Sequence, residues 1–333
     1  MKERQRYMLE NKTIIVTGGA GYIGSHTAKA LHEAGYIPVV VDNLSKGHRN
    51  AVKWGVFEQG DIGDMSFMRG VFDKYKPAGV VHFAASIEVG ESNVKPAEYY
   101  LNNVAGTLAL LTAMRDSGVQ RIVFSSTCAV YGEPETVPIS EDEKRRPINT
   151  YGKTKYMVEM MLEDFSRAYG LHYVALRYFN ACGADPSGEI GERHDPETHI
   201  IPRAFMAAEG KIDGLTLFGD DYPTHDGTCV RDYIHVNDLA RAHIKSFEYL
   251  VQGGASMAFN LGAGKGTSVK EIIAAVEAIT QKKLSVKIFP RREGDPAELV
   301  SNVTLIERKL GFITEWNSIE DIIASAWNFH RKR

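Results

Sequence analysis

Two side chains on one predicted helix could together perform acid–base chemistry. Tyr151 and Lys155 stand four residues apart in Tyr151-Gly-Lys-Thr-Lys155, so they share one face of a helix. A tyrosine has a pKa of about 10 and is a poor base at neutral pH, but an ammonium group or another cation nearby favours its phenolate. We therefore expect Lys155 to lower the pKa of Tyr151, which could then act as a general base toward a substrate hydroxyl.

A triplet of hydroxyl side chains ends a predicted strand over residues 121–126. The triplet is Ser125-Ser126-Thr127, and ligands bind at the carboxyl edge of parallel strands. A Tyr-x-x-x-Lys pair alone is common on solvated helix faces. The triplet favours a catalytic site, in which one of these hydroxyl groups orients the reacting oxygen.

A glycine-rich turn follows the first predicted strand. The segment is Thr17-Gly-Gly-Ala-Gly-Tyr-Ile-Gly24. Its glycines at 18, 21 and 24 allow a tight turn, close approach to a pyrophosphate and close packing of the next helix. The N-terminus of that helix offers unpaired N–H groups to phosphate. Asp42, at the end of the second strand, can accept hydrogen bonds from a ribose and favours NAD over NADP. Asp61 and Ile62 follow a third strand-like run and are expected beside the adenine.

Two other patterns in the sequence are weaker evidence for a functional site. Residues 262–267 resemble part of a P-loop, but Phe259 stands at its first glycine position and Gly266 replaces the Ser or Thr after the lysine. A strand-to-helix turn is therefore favoured over an ATPase site. His194, Asp195 and His199 lie in one loop without a third ligand at a plausible spacing, so we predict no metal site.

The elements that must position these residues alternate between strands and helices. Apolar, β-branched runs predict buried strands at 13–17, 38–42, 79–84, 121–126 and 172–178, and amphipathic stretches predict helices at 22–34, 96–117 and 151–169. This alternation indicates βαβ units around a parallel sheet. The predicted fold class is α/β, with a Rossmann-like doubly wound parallel sheet over residues 1–180, rejoined by a return segment near 226–250.

The remaining residues, 181–333, are expected to form a smaller mixed α/β substrate domain. Short strands are expected at 215–218, 258–261 and 284–289, and helices at 269–280 and 319–330. Pro, Gly and charged residues dominate 181–202, which predicts an irregular stretch there.

Composition restricts the class of protein. The 333 residues carry a net charge of −3 and are 44% hydrophobic, without the basic patch of a nucleic-acid binder. No apolar run approaches the ~18 residues of a membrane helix, and the charged start MKERQRYMLENK is not typical of a secretory signal. Cys128, Cys182 and Cys229 are widely spaced, which indicates thiols in a reducing compartment. We expect a cytoplasmic enzyme that binds neither nucleic acid nor membranes.

Longer motifs in the second half add a family resemblance. They are Arg177-Tyr-Phe-Asn-Ala181, Gly183-Ala-Asp-Pro-Ser-Gly188, Ile190-Gly-Glu192, Asp226-Gly-Thr-Cys-Val-Arg-Asp-Tyr-Ile-His235 and Arg291-Arg-Glu-Gly-Asp295. With the glycine turn and Tyr151/Lys155, they resemble the UDP-glucose 4-epimerase branch of the extended short-chain dehydrogenase/reductase family over nearly the whole chain.

The resemblance implies an NAD cofactor, a UDP-glucose or UDP-galactose substrate and transient oxidation at C4 to a 4-keto sugar. Tyr151, Lys155 and Thr127 would be the catalytic residues. The implied cofactor-binding residues are Gly18, Gly21, Tyr22, Ile23, Gly24, Asp42, Asn43, Asp61, Ile62, Phe83, Ala84, Ala85, Asn103, Ser125, Tyr151, Lys155 and Tyr178. The implied substrate-binding residues are Thr127, Tyr151, Asn180, His199, Ile200, Phe218, Arg231, Arg292, Asp295 and Leu299. The family also implies a homodimer paired through two helices per subunit, here within 99–114 and 157–169, although burial in the monomer would explain their apolar residues equally well.

Three positions depart from the family pattern. Thr127 replaces a frequent Ser and keeps the hydroxyl, Ile87 replaces a lysine beside the cofactor, and Leu299 is neither the bulky nor the small residue that sets substrate size. Other UDP-sugars therefore stay open as substrates, namely UDP-GlcNAc, UDP-xylose or UDP-arabinose, and UDP-glucuronate. A Rossmann domain that only senses NAD is disfavoured because it would not need Tyr151, Lys155 and Thr127.

A nucleotide-sugar 4,6-dehydratase is also disfavoured. Such enzymes carry Asp-Glu after the threonine of the triplet, where this chain has Cys128 and Ala129. Neither side chain can move the protons that elimination of water requires.

Overall fold

A computed structural model describes residues 11–292 and 295–332 of the chain. The strands are β1 (Thr13–Thr17), β2 (Ile37–Asp42), β3 (Val56–Gln59), β4 (Gly79–His82), β5 (Arg121–Thr127), β6 (His172–Tyr178), β7 (Asn180–Cys182), β8 (Leu215–Phe218), β9 (Val230–His235), β10 (Met257–Leu261), β11 (Gly266–Ser268), β12 (Val286–Phe289) and β13 (Glu298–Leu299). The α-helices are α1 (Tyr22–Glu33), α2 (Met65–Tyr75), α3 (Val89–Val94), α4 (Pro96–Tyr99), α5 (Gly106–Asp116), α6 (Thr150–Tyr169), α7 (Ile200–Ala208), α8 (Val236–Val251), α9 (Val269–Thr280), α10 (Thr304–Leu310) and α11 (Ile319–His330).

The chain forms two compact units that interleave along the sequence. The first comprises residues up to Gly132, Lys144–Tyr178 and Ala240–Phe259. The second comprises Glu133–Glu143, Phe179–Leu239 and the residues from Asn260 onward. The chain leaves the first unit after β6 and returns to it within α8.

A seven-stranded sheet organises the first unit, in the order β10-β6-β5-β4-β1-β2-β3. The six strands from β6 to β3 pair in parallel, which is the strand order of a dinucleotide-binding Rossmann sheet. The central residues of β1, β2 and β4 are fully buried, because helices cover both faces of such a sheet. The predicted α/β fold class is confirmed.

One predicted strand lies in a different sheet from the one expected. The strand expected over 258–261 in the second unit is β10, at the edge of the large sheet beside β6. Its buried Phe259 packs against Tyr249 of α8, with ring centroids 6.1 Å apart. The helix that brings the chain back thus determines where the strand pairs, and a short apolar run does not encode that pairing.

The helix that carries Tyr151 and Lys155, α6, has clear end signals. Asn149 caps α6 by accepting a hydrogen bond from the Gly152 N–H at 2.8 Å, and Gly170 ends it with φ +71°. Such caps satisfy the unpaired N–H and C=O groups at helix ends. They place Tyr151 in the first turn of α6, facing the carboxyl end of β5.

The helical stretch predicted at 96–117 contains a π-helical segment. Residues Tyr100–Ala105 form this segment between α4 and α5. Single π turns of this kind are rare and often occur at functional sites, and this one carries Asn103.

The second unit is smaller and mixed. Strand β9 pairs antiparallel with β11 and parallel with β13 and β7, and β8 pairs with β12 in a separate two-stranded sheet. Helices α7, α9 and α11 share one apolar core, which includes Phe205, Ile272 and Ile323. Within the described residues, no helix combines the length and apolarity needed to cross a bilayer.

Candidate active site

The glycine turn between β1 and α1 is shaped by close backbone contacts. A Cβ on Gly18, which has φ +71°, would lie 2.6 Å from the Ala84 backbone nitrogen, and one on Gly24 would lie 2.3 Å from the Gly18 carbonyl oxygen. Larger residues cannot occupy either position without moving backbone. The turn therefore leads directly into the N-terminus of α1 at Tyr22 and Ile23, where no side chain caps the helix. This geometry fits the pyrophosphate of a dinucleotide.

Asp42 lies at the end of β2 beside this turn, only 8% exposed. Its two carboxylate oxygens accept hydrogen bonds from the backbone N–H groups of Ala20 at 3.0 Å and Leu44 at 2.8 Å. Burial raises the pKa of the carboxyl group, and the two backbone donors oppose that rise. Each oxygen keeps a lone pair for a ribose hydroxyl, so the position fits the predicted contact with NAD.

The predicted adenine-side residues lie next to Asp42. The Asn43 side chain donates to Asp61 at 2.8 Å, and Asp61 also accepts from the Gly63 N–H at 2.7 Å. Ile62 is buried.

Asn103 connects three segments around the cofactor side of the site. Its side-chain NH₂ donates to the Ser86 carbonyl at 3.0 Å and to the Thr154 hydroxyl at 3.1 Å, and its oxygen accepts from the Ser86 N–H at 2.8 Å. Asn103 thereby fixes the loop after β4, which contains Phe83, Ala84 and Ala85, against α6.

Tyr151 and Thr127 face each other at the carboxyl end of β5. Both are buried, with exposed fractions of 8% and 7%. Burial raises the pKa of Tyr151 far above its ordinary value, Tyr178 adds to that rise, and a hydrogen bond with Thr127 opposes it. A substrate hydroxyl placed between these two side chains would be within hydrogen-bond reach of the phenol, as proton transfer requires.

Lys155 lies behind Tyr151 on the same face of α6. Its ammonium group donates to the Ser125 carbonyl at 2.8 Å and lies 5.8 Å from the centroid of the Tyr151 ring. Burial lowers the pKa of Lys155 to about 7.

The pKa of Tyr151 is not lowered below its ordinary value, contrary to the expectation from sequence. Burial is the largest cause of both pKa shifts, and it raises the pKa of Tyr151 while it lowers that of Lys155. With a pKa of about 7, Lys155 still carries a positive charge in part of the molecules at neutral pH.

Two further predicted residues join this cluster. The Ser125 and Tyr178 hydroxyls share a hydrogen bond of 2.5 Å, and these residues stand on the neighbouring strands β5 and β6. Burial raises the pKa of Tyr178 to about 12, so it stays protonated and able to donate.

Sequence reasoning missed a buried ionic network that holds α6 in place. Glu159, one helical turn after Lys155, pairs with Arg177 of β6 at 2.7 Å and accepts from the Ser126 hydroxyl of β5 at 2.6 Å. Arg177 also donates to the Tyr131 hydroxyl at 2.9 Å. The i, i+4 spacing from Lys155 to Glu159 places Glu159 on the buried face, which is the signal that could have found it.

His82, the last residue of β4, is a buried and neutral histidine near Lys155. Its Nδ1 accepts from the Thr17 hydroxyl at 2.7 Å and its Nε2 donates to the Thr107 hydroxyl at 3.0 Å, since Thr107 itself donates to the Asn103 carbonyl. Burial lowers the pKa of His82 to about 3, with a smaller contribution from Lys155.

The predicted substrate residues all lie in the second unit, apart from Thr127 and Tyr151. Arg231, on β9 and 8% exposed, forms an ion pair with Asp295, and Leu299 of β13 is its register partner. The Arg292 guanidinium stacks 3.9 Å from the centroid of the Phe218 ring. Within the motif 291–295, positions 293 and 294 lie outside the described residues.

The other three predicted substrate residues lie in two places. Asn180 begins β7, in register with Tyr233 of β9. His199 precedes the first residue of α7, Ile200. His199 contacts an acidic and histidine-rich group that the spacing argument did not anticipate, described below.

A second missed residue, Asp232, explains the P-loop-like run at 262–267. The buried Asp232 carboxylate accepts from the backbone N–H groups of Ala263 at 2.7 Å, Gly264 at 3.1 Å and Ser301 at 3.1 Å. Two N–H groups of the run therefore already bind an anion within the protein, which agrees with the reading of 262–267 as a turn.

Comparisons with known proteins identify similar sequences and similar structures. A family model described as "NAD dependent epimerase/dehydratase family" matches residues 14–262. A UDP-glucose 4-epimerase of Rhizobium leguminosarum bv. trifolii is 52% identical and covers 97% of this chain and 99% of its own length. The crystal structure of a Brucella ovis UDP-glucose 4-epimerase in complex with NAD superposes with a TM-score of 0.94 at 53% identity, over 96% of this chain and 98% of that one. A UDP-Glc/GlcNAc 4-epimerase of Campylobacter jejuni superposes with a TM-score of 0.85 at 40% identity, over 97% of this chain and 100% of that one.

Proposed function

Since the chain belongs to the NAD dependent epimerase/dehydratase family, we propose that it is a UDP-glucose 4-epimerase that interconverts UDP-galactose and UDP-glucose. The observation that carries this proposal is the buried Tyr151, hydrogen-bonded to Thr127 and backed by Lys155 at the carboxyl edge of the parallel sheet. The family resemblance of the sequence is confirmed, and NAD is the cofactor.

The chain's own groups perform the proton transfers. Tyr151 accepts the proton of the 4-hydroxyl group and later returns a proton to O4, while the Thr127 hydroxyl keeps O4 within hydrogen-bond reach. The glycine turn and Asp42 would hold NAD, which would supply the redox chemistry as acceptor and donor of the C4 hydride. Lys155 supplies a positive charge about 6 Å from the Tyr151 ring, which stabilises the phenolate during the transfer.

The nucleotide half of the substrate must stay bound while the 4-keto sugar rotates to present its other face. Arg231 and Arg292 offer forked donors suited to a diphosphate. Stacking on Phe218 orients the Arg292 guanidinium, and Asp295 holds Arg231. We assign both arginines to the diphosphate and Leu299, the register partner of Arg231, to the sugar side.

The activity is tested with untagged protein and UDP-galactose. We expect UDP-glucose to form until both sugars reach equilibrium, as followed by the anomeric proton signals in NMR, without growth of NADH absorbance. Parallel reactions with UDP-GlcNAc, UDP-xylose and UDP-glucuronate define the substrate range. Accumulation of one NADH per sugar consumed would contradict an epimerase, and turnover of only one of the other sugars would replace the substrate proposed here.

Lys155→Met is expected to lower kcat about 10²-fold, within the range of acid–base contributions. The variant removes the charge that favours the Tyr151 phenolate and the hydrogen bond to the Ser125 carbonyl. Steady-state kinetics measure the effect as a loss in kcat. Lys153→Met, two residues away on the exposed side of the same helix, serves as control and should keep wild-type kcat. Equal kcat in both variants would remove Lys155 from the mechanism.

The variants Lys155→Met and Lys153→Met also test how the stability of the protein depends on pH. The folded protein holds the pKa of Lys155 at about 7, below the ordinary value near 10.4, so between these values the unfolded chain binds a proton that the native state does not. Native stability contributed through Lys155 therefore rises as pH increases from 7 toward 10. Relative to Lys155→Met, the wild-type melting temperature should rise between pH 7 and pH 9, whereas Lys153→Met should show no such difference from wild type.

We also propose a cytoplasmic homodimer. Along the two helical stretches named above, the inward residues Leu110, Met114 and Leu162 are fully buried in the first unit's core. Others stay exposed, namely Leu101 at 69%, Leu108 at 44%, Met160 at 41% and Tyr169 at 51%. A second subunit would cover this apolar surface. The cytoplasmic assignment is supported by the wide spacing of the cysteines in the sequence.

A further inference from the structure

Four side chains with metal-binding atoms meet in the segment between β7 and α7. They are Glu192, His194, Glu197 and His199, and one ligand atom from each lies within 4.8 Å of all the others. The prediction of no metal site counted His194 and His199 but overlooked the two glutamates between and before them.

The distances within this group match a tetrahedral site. Nδ1 of His199 lies 2.8 Å from Oε1 of Glu192 and 3.5 Å from Oε1 of Glu197. Nδ1 of His194 lies 3.4 Å and 3.8 Å from the same two oxygens. Zinc bonds of about 2.0–2.1 Å in a tetrahedron separate neighbouring ligand atoms by about 3.3 Å. The four measured distances scatter around that value.

The two carboxylate side chains are buried, and that of Glu197 is not fully satisfied by the protein. The side chains of Glu192 and Glu197 are 9% and 8% exposed. Oε1 of Glu197 accepts from the backbone N–H groups of Thr198 and His199, each at 3.0 Å. Its Oε2 is buried and has no hydrogen-bond partner. Buried carboxylate atoms of this kind require a hydrogen-bond donor or a cation.

His199 gives independent evidence that the group requires a bound cation. Its Nδ1 is buried and makes no hydrogen bond, although Oε1 of Glu192 is only 2.8 Å away. A nitrogen and a carboxylate oxygen this close without hydrogen-bond geometry are arranged as two ligands around a common centre.

The charges of the group suit a bound cation, because two carboxylates lie beside two imidazoles. Two nearby cations have other partners, since Lys211 pairs with Glu209 at 2.7 Å and Arg203 donates to the Glu197 main-chain carbonyl.

We propose that Glu192, His194, Glu197 and His199 bind one divalent transition-metal ion, and that the donor set favours zinc. Two imidazoles and two carboxylates suit zinc better than magnesium or calcium, which prefer oxygen ligands alone. Four protein ligands make a closed, structural site. The ion would fix the segment that ends at His199 and Ile200, at the start of α7.

The test uses untagged protein stripped with a chelator and titrated with Co²⁺, a spectroscopic probe for tetrahedral zinc sites. We expect one equivalent to give the intense visible absorption of tetrahedral Co²⁺, and Zn²⁺ to displace it. His199→Gln and Glu192→Gln should weaken binding at least 10²-fold. Asp195→Asn, in the same loop but outside the group, and His172→Gln, on an exposed strand end, should bind like wild type.

Other outcomes would overturn the site. No bound Co²⁺, or the weak absorption of six-coordinate Co²⁺, would leave the group as two imidazolium–carboxylate pairs. Equal binding by wild type, His199→Gln and Glu192→Gln would place the ion elsewhere on the surface. If those variants fail to fold, the wild-type spectrum still decides, and its affinity should fall as pH is lowered because protons compete for the histidines.

Discussion

Tyr151→Phe is expected to lower kcat by about 10³–10⁴-fold, near the upper end of what a positioned acid–base group contributes. Phenylalanine keeps the ring that packs beside Lys155 but removes the only atom of this side chain that can exchange a proton with O4. Because the shape of the site is conserved, the KM for UDP-galactose should change little. The loss therefore belongs to the transition state, which separates it from a binding defect.

A matched control for this variant is Tyr169→Phe. Tyr169 stands on the same helix, α6, but at its far end and 51% exposed, where it interacts with the exposed Arg115 and not with Thr127. Tyr169→Phe should retain wild-type kcat. A Tyr151→Phe variant with more than a tenth of wild-type kcat would sink the proposed role of Tyr151 as the general base.

Arg177→Met is expected to destabilise the protein by about 3–5 kcal/mol, because the buried Glu159 carboxylate loses its closest cationic partner and keeps only Arg145 at 3.6 Å. The two side chains are only 4% and 2% exposed and lie 2.7 Å apart. Loss of the pair also frees α6 from β6, so Tyr151 and Lys155 lose the support that positions them. Guanidinium unfolding, read as the shift of the midpoint, measures the effect.

A double variant separates the pair from mere disruption of packing. Arg177→Met with Glu159→Leu buries no charge and should recover much of the lost stability, as apolar replacements of buried ion pairs often do. Asp73→Asn, which breaks the exposed pair with Lys76, should leave the midpoint almost unchanged. If Arg177→Met behaves like Asp73→Asn, the network has no role in holding α6.

Stability and catalysis are linked in this site through α6. The helix presents Tyr151 and Lys155 to the reacting centre, Thr154 to Asn103 and Glu159 to the ionic network. Variants of the network should therefore lower kcat as well as the unfolding midpoint, whereas Tyr151→Phe should lower kcat alone.

Local patterns in the sequence are enough to predict several parts of this protein. The turn at Gly18–Gly24 is predictable because its backbone conformation requires glycine. Asp42 is predictable because it ends the second strand, beside that turn. The runs of β-branched residues predict a doubly wound parallel sheet because strands buried on both faces need them. Tyr151 and Lys155 were found through the spacing of one helical turn. The family resemblance added the substrate class, which no local pattern encodes.

Features that depend on burial and on contacts between distant residues could be identified only from the folded protein. The contacts of Glu159 with Arg177 and of Asp232 with the turn at 262–267 require packing that brings separate elements together. The geometry of Glu192 with His199 depends on how one irregular segment folds. The direction of the Tyr151 pKa shift also needed the structure, since burial raises that pKa. Spacing tells which side chains share a face, but desolvation and long-range pairing depend on the packed interior.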